Sequence, residues 1–350
     1  MDPEARARTV EDAIATRRAV VNDHIDEYLP LDDPEQLYAA SRHVLKAGGK
    51  RLRPTILLVA GEAVTDTAPG SADYQSFPTV PDGESPIDLL AAAVSVEVIQ
   101  SFTLIHDDIM DDDDLRRGVP AVHKEYDTET AILAGDTLYA KAFELLSETG
   151  SDPANGLEAI RRLATTCTQI CEGQALDIEF EKRTEVLPDE YLEMIELKTA
   201  VLYGTAAATA ATLMDADDET VEALYRYGID SGRAFQIQDD VLDLTVPSEK
   251  LGKQRGSDLV ENKETLITLH ARQQGVDVDA LVETDDVDSV SEAEVDEAVA
   301  ELEAAGSIDY AEAKAEELTA NAKNHLEVLP DNEARALLGD IADYLITRGY

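Results

Sequence analysis

Tryptophan is missing, cysteine occurs twice, and Lys plus Arg number only 29 against 74 Asp plus Glu. The formal net charge is therefore −45. Each scarcity excludes something. Two cysteines, Cys167 and Cys171, make no disulfide framework, and their spacing suits neither a redox pair nor a zinc site without histidine partners. They read as buried, reduced thiols, and a reducing cytoplasm is the matching compartment. So few cations exclude a general nucleic-acid binder, because a phosphate backbone needs a basic face. They also argue against docking on an anionic membrane. The first 18 residues lack the apolar core of a signal peptide. The longest low-charge run, Thr199 to Met214, is shorter than the ~20 residues of a membrane span, so no stable membrane insertion is expected. The six histidines show no zinc spacing, and the phosphate-loop patterns of nucleotide folds are absent.

What is present is apolar residues, 44% of the chain, interleaved with charge at helical spacing rather than segregated into a polar tail. The pattern predicts an all-α chain. Asp33-Pro34, Ser85-Pro86 and Asp152-Pro153 read as caps before a first-turn proline, and Pro54 and Pro188 also sit where helices can begin. No stretch alternates with the period of a strand. Residues 66–85 and 275–297 read as loops. The second holds no Lys or Arg and lacks the glycine and spacing of a calcium loop, so it reads as a solvated acidic connection. Helices of one character continue on both sides of each loop, which predicts a single domain over residues 1–350. The acidity itself reads as halophilic adaptation, with hydrated carboxylates screened by high salt.

Two segments carry chemistry. IHDDIMDDDDLRRG, residues 105–118, and FQIQDDVLD, residues 235–243, each contain D-D-x-x-D. On a helix these positions fall within about 100° of one another, so Asp107, Asp108 and Asp111 share one face, as do Asp239, Asp240 and Asp243. Like charges one turn apart repel. Both clusters follow apolar residues, where a merely solvated helix face would be polar. Two such clusters facing each other across a bundle would offer oxygen ligands suited to magnesium, Mg2+. Nine of the 29 basic residues fall in five short blocks: Lys50, Arg51 and Arg53; Arg116 and Arg117; Lys198; Lys253 and Arg255; and Lys263. In so acidic a chain this placement points to anion binding at chosen spots, with guanidinium forks and lysine charges on phosphate oxygens. The chemistry implied is one diphosphate bridged by metal to carboxylates and a second held by Lys and Arg alone.

From about residue 35 onward the blocks GGKRLRP, IHDDIMDDDDLRRG, GQALD, LKT, FQIQDDVLD and LGKQRGSD, with Lys263 and Thr265, resemble the trans-isoprenyl diphosphate synthases of the polyprenyl synthetase family. The pattern is most similar to short-chain archaeal members that make geranylgeranyl diphosphate. The resemblance implies an all-α bundle of long helices around a central cavity, usually homodimeric. It implies a magnesium-dependent prenyltransferase that joins isopentenyl diphosphate head to tail with dimethylallyl, geranyl or farnesyl diphosphate. Asp107, Asp108, Asp111, Asp239, Asp240 and Asp243 would be the metal ligands, with Gln174 and Asp177 beside them. Arg116, Lys198, Thr199, Gln236, Lys253 and Lys263 match residues that hold the allylic diphosphate. Lys50, Arg53 and Arg117 match the isopentenyl diphosphate site, and Gln100 stands where many members have histidine. Asp107, Asp111, Arg116, Lys198, Asp239 and Lys253 would carry the ionisation step. His106 and His123 would be structural or support the ligands. Phe102, five positions before the first motif, would be the floor that stops the growing chain. With Thr103 beside it rather than a second aromatic, geranylgeranyl diphosphate is the expected product. Stopping at farnesyl, continuing to twenty-five carbons, or a non-catalytic partner subunit are the alternatives. On an ideal helix Phe102 lies about 140° from Asp107, and packing as core is the competing role for its ring.

Overall fold

The structure, a computed structural model, describes residues 3–79, 86–180, 182–183, 185–251, 254–282, 284 and 289–347. It is helical nearly throughout. The chain divides into two compact units.

One unit comprises Met1–Cys167, Leu202–Tyr225 and Leu326–Asp340. Its first helices are α1 (Pro3–Tyr28), α2 (Glu35–Lys46), α3 (Leu52–Thr65), α4 (Leu89–Met110) and α5 (Thr128–Ser147). Helix α4 is the spine, packing on α3 and α5. Its N-terminal half reads Leu89 to Ile99 with nearly every residue apolar, and all of these residues are buried. A helix apolar all round must be covered on every side. By length and composition alone α4 is long and apolar enough to cross a membrane, but 72% of its apolar 18-residue stretch is buried inside the protein. Asp88 starts it, accepting a hydrogen bond from the Ala91 N–H at 2.8 Å.

Charge also enters this interior. Arg17 on α1 donates to Glu62 on α3 at 2.5 Å, with both side chains essentially unexposed. Glu62 further accepts from the Tyr74 hydroxyl at 2.5 Å and the Gly70 N–H at 2.8 Å. A buried carboxylate needs this many donors to offset its lost hydration.

The second unit comprises Thr168–Val201, Arg226–His325 and Ile341–Tyr350. Helix α6 (Pro153–Phe180) enters it at Thr168, followed by α7 (Pro188–Ile195) and a π turn (Glu196–Ala200), after which α8 (Val201–Leu213) belongs to the first unit from Leu202. The second unit resumes at Arg226 within α9 (Asp218–Thr245), continues through α10 (Leu266–Gln273), α11 (Glu292–Ala304) and α12 (Ser307–His325), and ends with the part of α13 (Glu333–Thr347) from Ile341. Tyr191, Ile195, Ile237, Val241, Leu266 and Leu302 are among the residues of its own apolar core. Arg255, one of the blocked basic residues, is consumed here. It donates to the Leu244 carbonyl at 2.5 Å and to Asp296 at 2.6 Å, tying the end of α9 to α11.

Several sequence expectations need correction. Asp152 does cap α6 and Pro188 does open α7. Asp33, however, caps nothing: α2 begins at Glu35, after Pro34. Helix α4 begins at Leu89 behind Asp88, not at Pro86. A two-residue hairpin exists, β1 (Leu115–Arg116) with β2 (Val119–Pro120), which no alternation announces because it is too short to show a period. The region 66–85 contains a 3-10 turn at Tyr74–Ser76 and a bridge from Phe77 to Ile87, with 80–85 outside the described residues. The acidic stretch 275–297 already enters α11 at Glu292, under a Ser291–Glu294 capping box. Cys167 is buried, whereas Cys171, one turn on, is exposed; neither is in a disulfide.

With −45 net charge on such a surface, self-repulsion opposes folding at low ionic strength. The melting temperature is expected to rise steadily as KCl goes from about 0.1 to about 1 M, over which the Debye length falls from about 10 to about 3 Å. A flat response in a calorimetric series would reject the salt-adapted reading of the composition.

Candidate active site

The first aspartate cluster sits where α4 runs out of apolar residues. Asp108 is fully buried, Asp107 half-buried, and Asp111 exposed as the helix cap. Beyond it the chain reverses through Asp112 and the hairpin, whose two turn residues, Arg117 and Gly118, both have positive φ (55° and 79°). A two-residue hairpin turn of that hand matches strand twist, and it brings Arg116 back over the helix end. Arg116 Nε donates to Asp108 Oδ1 at 2.6 Å and Nη2 donates to Asp113 at 2.8 Å. The second oxygen, Asp108 Oδ2, is buried and has no hydrogen-bond partner. Burial pushes the Asp108 carboxyl above its ordinary value, against the pull of Arg116. His123 is buried beside the loop, 3.6 Å from Asp112, and His106 packs against α5 through the Ile132 carbonyl.

The basic block at 48–54 is divided in its roles. Arg51, at the start of α3 with φ 53°, is buried and ion-paired to Glu97 on α4, so it belongs to the core. Arg53 lies over the ring of Tyr203 with its guanidinium carbon 4.1 Å from the centroid, a cation–π contact that holds the fork in one orientation. Arg117 donates to the carbonyl of Gly48 and approaches Glu97 at 3.8 Å. Its guanidinium lies 2.7 Å from where a Cβ on Gly49 would sit, and Gly49 itself has φ 134°, a backbone conformation that favours glycine. Lys50 is exposed at the same edge. Gln100 lies two turns before Asp107 on the same helical stripe.

Phe102 is half-buried on α4. Its ring meets His106 (centroids 4.8 Å) and Tyr139 on α5 (5.3 Å), and Tyr139 in turn meets Phe143 (5.1 Å). That aromatic row lies on the α5 side of α4, about 120° around from Asp108. Thr103 bonds its hydroxyl back to the Gln100 carbonyl at 2.9 Å.

In the second unit Asp240 of the other cluster lines a cavity of about 140 Å³, with Asp177, Lys198, Thr199, Gln236 and Lys263 also on its walls. Lys198 Nζ donates to Asp177 at 2.5 Å. Thr199 donates to Gln236 at 3.1 Å, and the Gln236 amide donates to Asp240 at 3.1 Å. The fully buried Tyr191 donates its hydroxyl to the other Asp240 oxygen at 2.5 Å. Burial and then the neighbouring Asp258 raise the Asp240 carboxyl well above its ordinary value. Asp243 accepts from Ser257 at 2.9 Å and from the Asp258 N–H at 3.2 Å. Asp239 is half-buried on the same helix. Gln174 lies half-buried on α6, its Oε1 without a partner. Lys263 reaches Glu261 at 2.7 Å. Lys253 lies outside the described residues.

The sequence reading overlooked Tyr191, Tyr203, Glu97 and Asp258. Only Glu97 had a signal, as a lone carboxylate within the apolar run of α4. Among the described residues no three Asp, Glu, His or Cys side chains close into a metal cage. The donor chemistry nonetheless fits a hard divalent cation that takes one or two carboxylates and completes its shell from phosphate and water. The unpartnered Asp108 oxygen and the buried Asp240 are carboxylates whose placement such a cation would stabilise.

The polyprenyl synthetase family model matches residues 34–302. The chain belongs to the polyprenyl synthetase family. A geranylfarnesyl diphosphate synthase of Natronomonas pharaonis is 64% identical over 97% of this chain and 98% of its own. A geranylgeranyl diphosphate synthase of Methanosarcina mazei is 47% identical over 98% and 99%. The solved geranylgeranyl pyrophosphate synthetase of Geoglobus acetivorans is 43% identical, with TM-score 0.84 over 96% of this chain and 99% of that one. This polyprenyl synthetase therefore has the isoprenoid synthase fold and is a prenyltransferase, a trans-prenyl diphosphate synthase of isoprenoid biosynthesis.

Proposed function

We propose that the whole chain acts as one cytoplasmic, homodimeric synthase, condensing isopentenyl diphosphate with dimethylallyl, geranyl and farnesyl diphosphates to geranylgeranyl diphosphate, for lipid synthesis. The observation that carries this is the cavity where Lys198, Thr199 and Gln236 converge beside Asp240. The exposed Ile132 and Leu133 on α5 support a dimer, since they give that helix an apolar outer face.

Asp107, Asp108 and Asp111, with Asp239, Asp240 and Asp243, would hold magnesium. Bound there, it supplies Lewis-acid stabilisation of the charge that builds on the departing diphosphate. The chain's own groups do the rest. Lys198, Lys253, Lys263 and Arg116 neutralise the diphosphate oxygens as the allylic C–O bond breaks. Thr199 and Gln236 orient the same group by hydrogen bonds. Lys50, Arg53 and Arg117 hold isopentenyl diphosphate, and Tyr203 fixes the Arg53 fork so that the double bond is presented to the allylic cation. The double bond attacks, a proton leaves the new C–C unit, and the released pyrophosphate accepts it. No protein nucleophile is needed. The mechanism requires apolar walls to keep water from the cation.

Two sites imply two kinetic signatures. Lys50→Ala and Arg53→Ala are expected to raise KM for isopentenyl diphosphate by about tenfold or more, each removing one charge-assisted contact, with little change for the allylic substrate. Lys198→Ala should do the reverse. Equal effects on both substrates in steady-state assays would reject the division.

A second reading is favoured by the placement of Phe102. Its ring is engaged with His106 and Tyr139 rather than on the aspartate face, so it sets a weaker limit, and a twenty-five-carbon product follows. Mass analysis of products from isopentenyl diphosphate and each allylic primer, with magnesium in high salt, decides between twenty and twenty-five carbons. On the first reading Phe102→Ala lengthens the product and Thr103→Phe shortens it towards farnesyl diphosphate. An unchanged distribution in both variants puts the floor elsewhere.

A further inference from the structure

Helix α6 passes directly over the π turn Glu196–Ala200, and Gly173 is the point of approach. A Cβ built at Gly173 would lie 2.3 Å from the Lys198 backbone nitrogen and 2.7 Å from both its Cα and the Leu197 carbonyl carbon. An added methyl against a side chain can be relieved by rotation; here it meets backbone on which the turn itself depends. Gly173 is buried in the middle of a 28-residue helix and has ordinary helical backbone, so nothing about its dihedrals requires glycine. Glycine costs a helix about 1 kcal/mol relative to alanine. The close approach is what the structure gains in return.

The same helix also holds the other end of Lys198. One turn past Gly173, at i+4 on the same face, Asp177 accepts a hydrogen bond from Lys198 Nζ at 2.5 Å. Residue 198 is thus set twice by α6, once through its backbone and once through its ammonium. The next residue, Thr199, leads to Gln236 and from there to Asp240. A π turn carries an extra residue per turn and re-aims the side chains on it, so the depth at which α6 rests on it decides where Lys198 and Thr199 reach.

We propose that Gly173 is a positioning residue: its missing side chain sets the separation of α6 from the π turn, and hence the reach of Lys198 and Thr199 into the cavity. This rests on the functional reading above, in which those two residues hold the allylic diphosphate.

The test is Gly173→Ala, with Gly156→Ala as a control on the same helix, where a Cβ meets only the Ser151 hydroxyl at 3.1 Å. An added methyl must push the turn away by about 1 Å, a misplacement worth about a hundredfold, so kcat/KM for geranyl diphosphate should fall by about that factor. KM for isopentenyl diphosphate should stay near the wild-type value. Hydrogen exchange measured on the peptide covering residues 190–202 should accelerate, with the rest of the chain unchanged. Gly156→Ala should match the wild type in all three. The proposal is overturned if Gly173→Ala keeps its allylic kcat/KM, or if both substrates suffer equally. It is also overturned if the alanine chain does not fold while the control does, since Gly173 would then serve the fold and not Lys198. A wild-type enzyme that fails to turn over the two substrates would instead remove the functional reading.

Discussion

Asp107→Ala is expected to lower turnover by about a thousandfold or more, because a ligated cation stabilises the leaving charge by several kcal/mol and each 1.4 kcal/mol is about tenfold in rate. Asp239→Ala should do the same. Both side chains are half-buried, so their removal should leave the melting temperature within a few degrees of wild type. The fully buried Asp108 would not make so clean a test, since its loss also strips Arg116 of its nearest carboxylate. Chelation should abolish activity and added magnesium restore it. Full activity in chelator, or an Asp107→Ala enzyme near wild-type rate, would end the metal-assisted reading while leaving the fold untouched.

The largest expected effect on stability is at Arg17→Met. It leaves Glu62 charged in an interior where it is essentially unexposed. Breaking one side of such a pair costs about 3–5 kcal/mol, and at about 1.4 °C per kcal/mol for a chain of 350 residues the melting temperature should fall by about 4–7 °C. The double variant Arg17→Met, Glu62→Leu should recover part of that loss, because it removes the stranded charge along with its partner. Recovery stays incomplete, since Tyr74 and the Gly70 N–H lose their acceptor. A double variant no more stable than Arg17→Met would show that Glu62 is held mainly by its other donors. Activity at low temperature should survive in both variants, as neither residue reaches the aspartate clusters.

Basic residues show where sequence reading stops. Scarcity of Lys and Arg made every one of them conspicuous, and the blocks at 48–54, 116–117, 198 and 263 do gather at the two candidate sites. Scarcity says nothing about the partner, however. Arg51 and Arg53 are two residues apart, yet one is spent on Glu97 inside the core and the other is aimed by Tyr203. Arg255 looked like an anion ligand and is a clamp between helices. The hairpin that returns Arg116 to Asp108 depends on two positive-φ residues in a turn too short to leave a periodic trace.

The sequence by itself determined the helical class, the family and the two carboxylate faces. These follow from local rules: apolar periodicity, the i, i+1, i+4 geometry of a helix, and motifs whose residue types are dictated by diphosphate chemistry. Tertiary structure alone decided which cations face a cavity and which are buried against Glu97 or Asp296. It also decided that Phe102 turns to Tyr139, that Tyr191 braces Asp240, and that α6 can rest on the Lys198 backbone only because residue 173 has no side chain. Each of these depends on a contact between residues distant in the chain, and a contact of that kind is fixed by packing, not by any pattern of spacing.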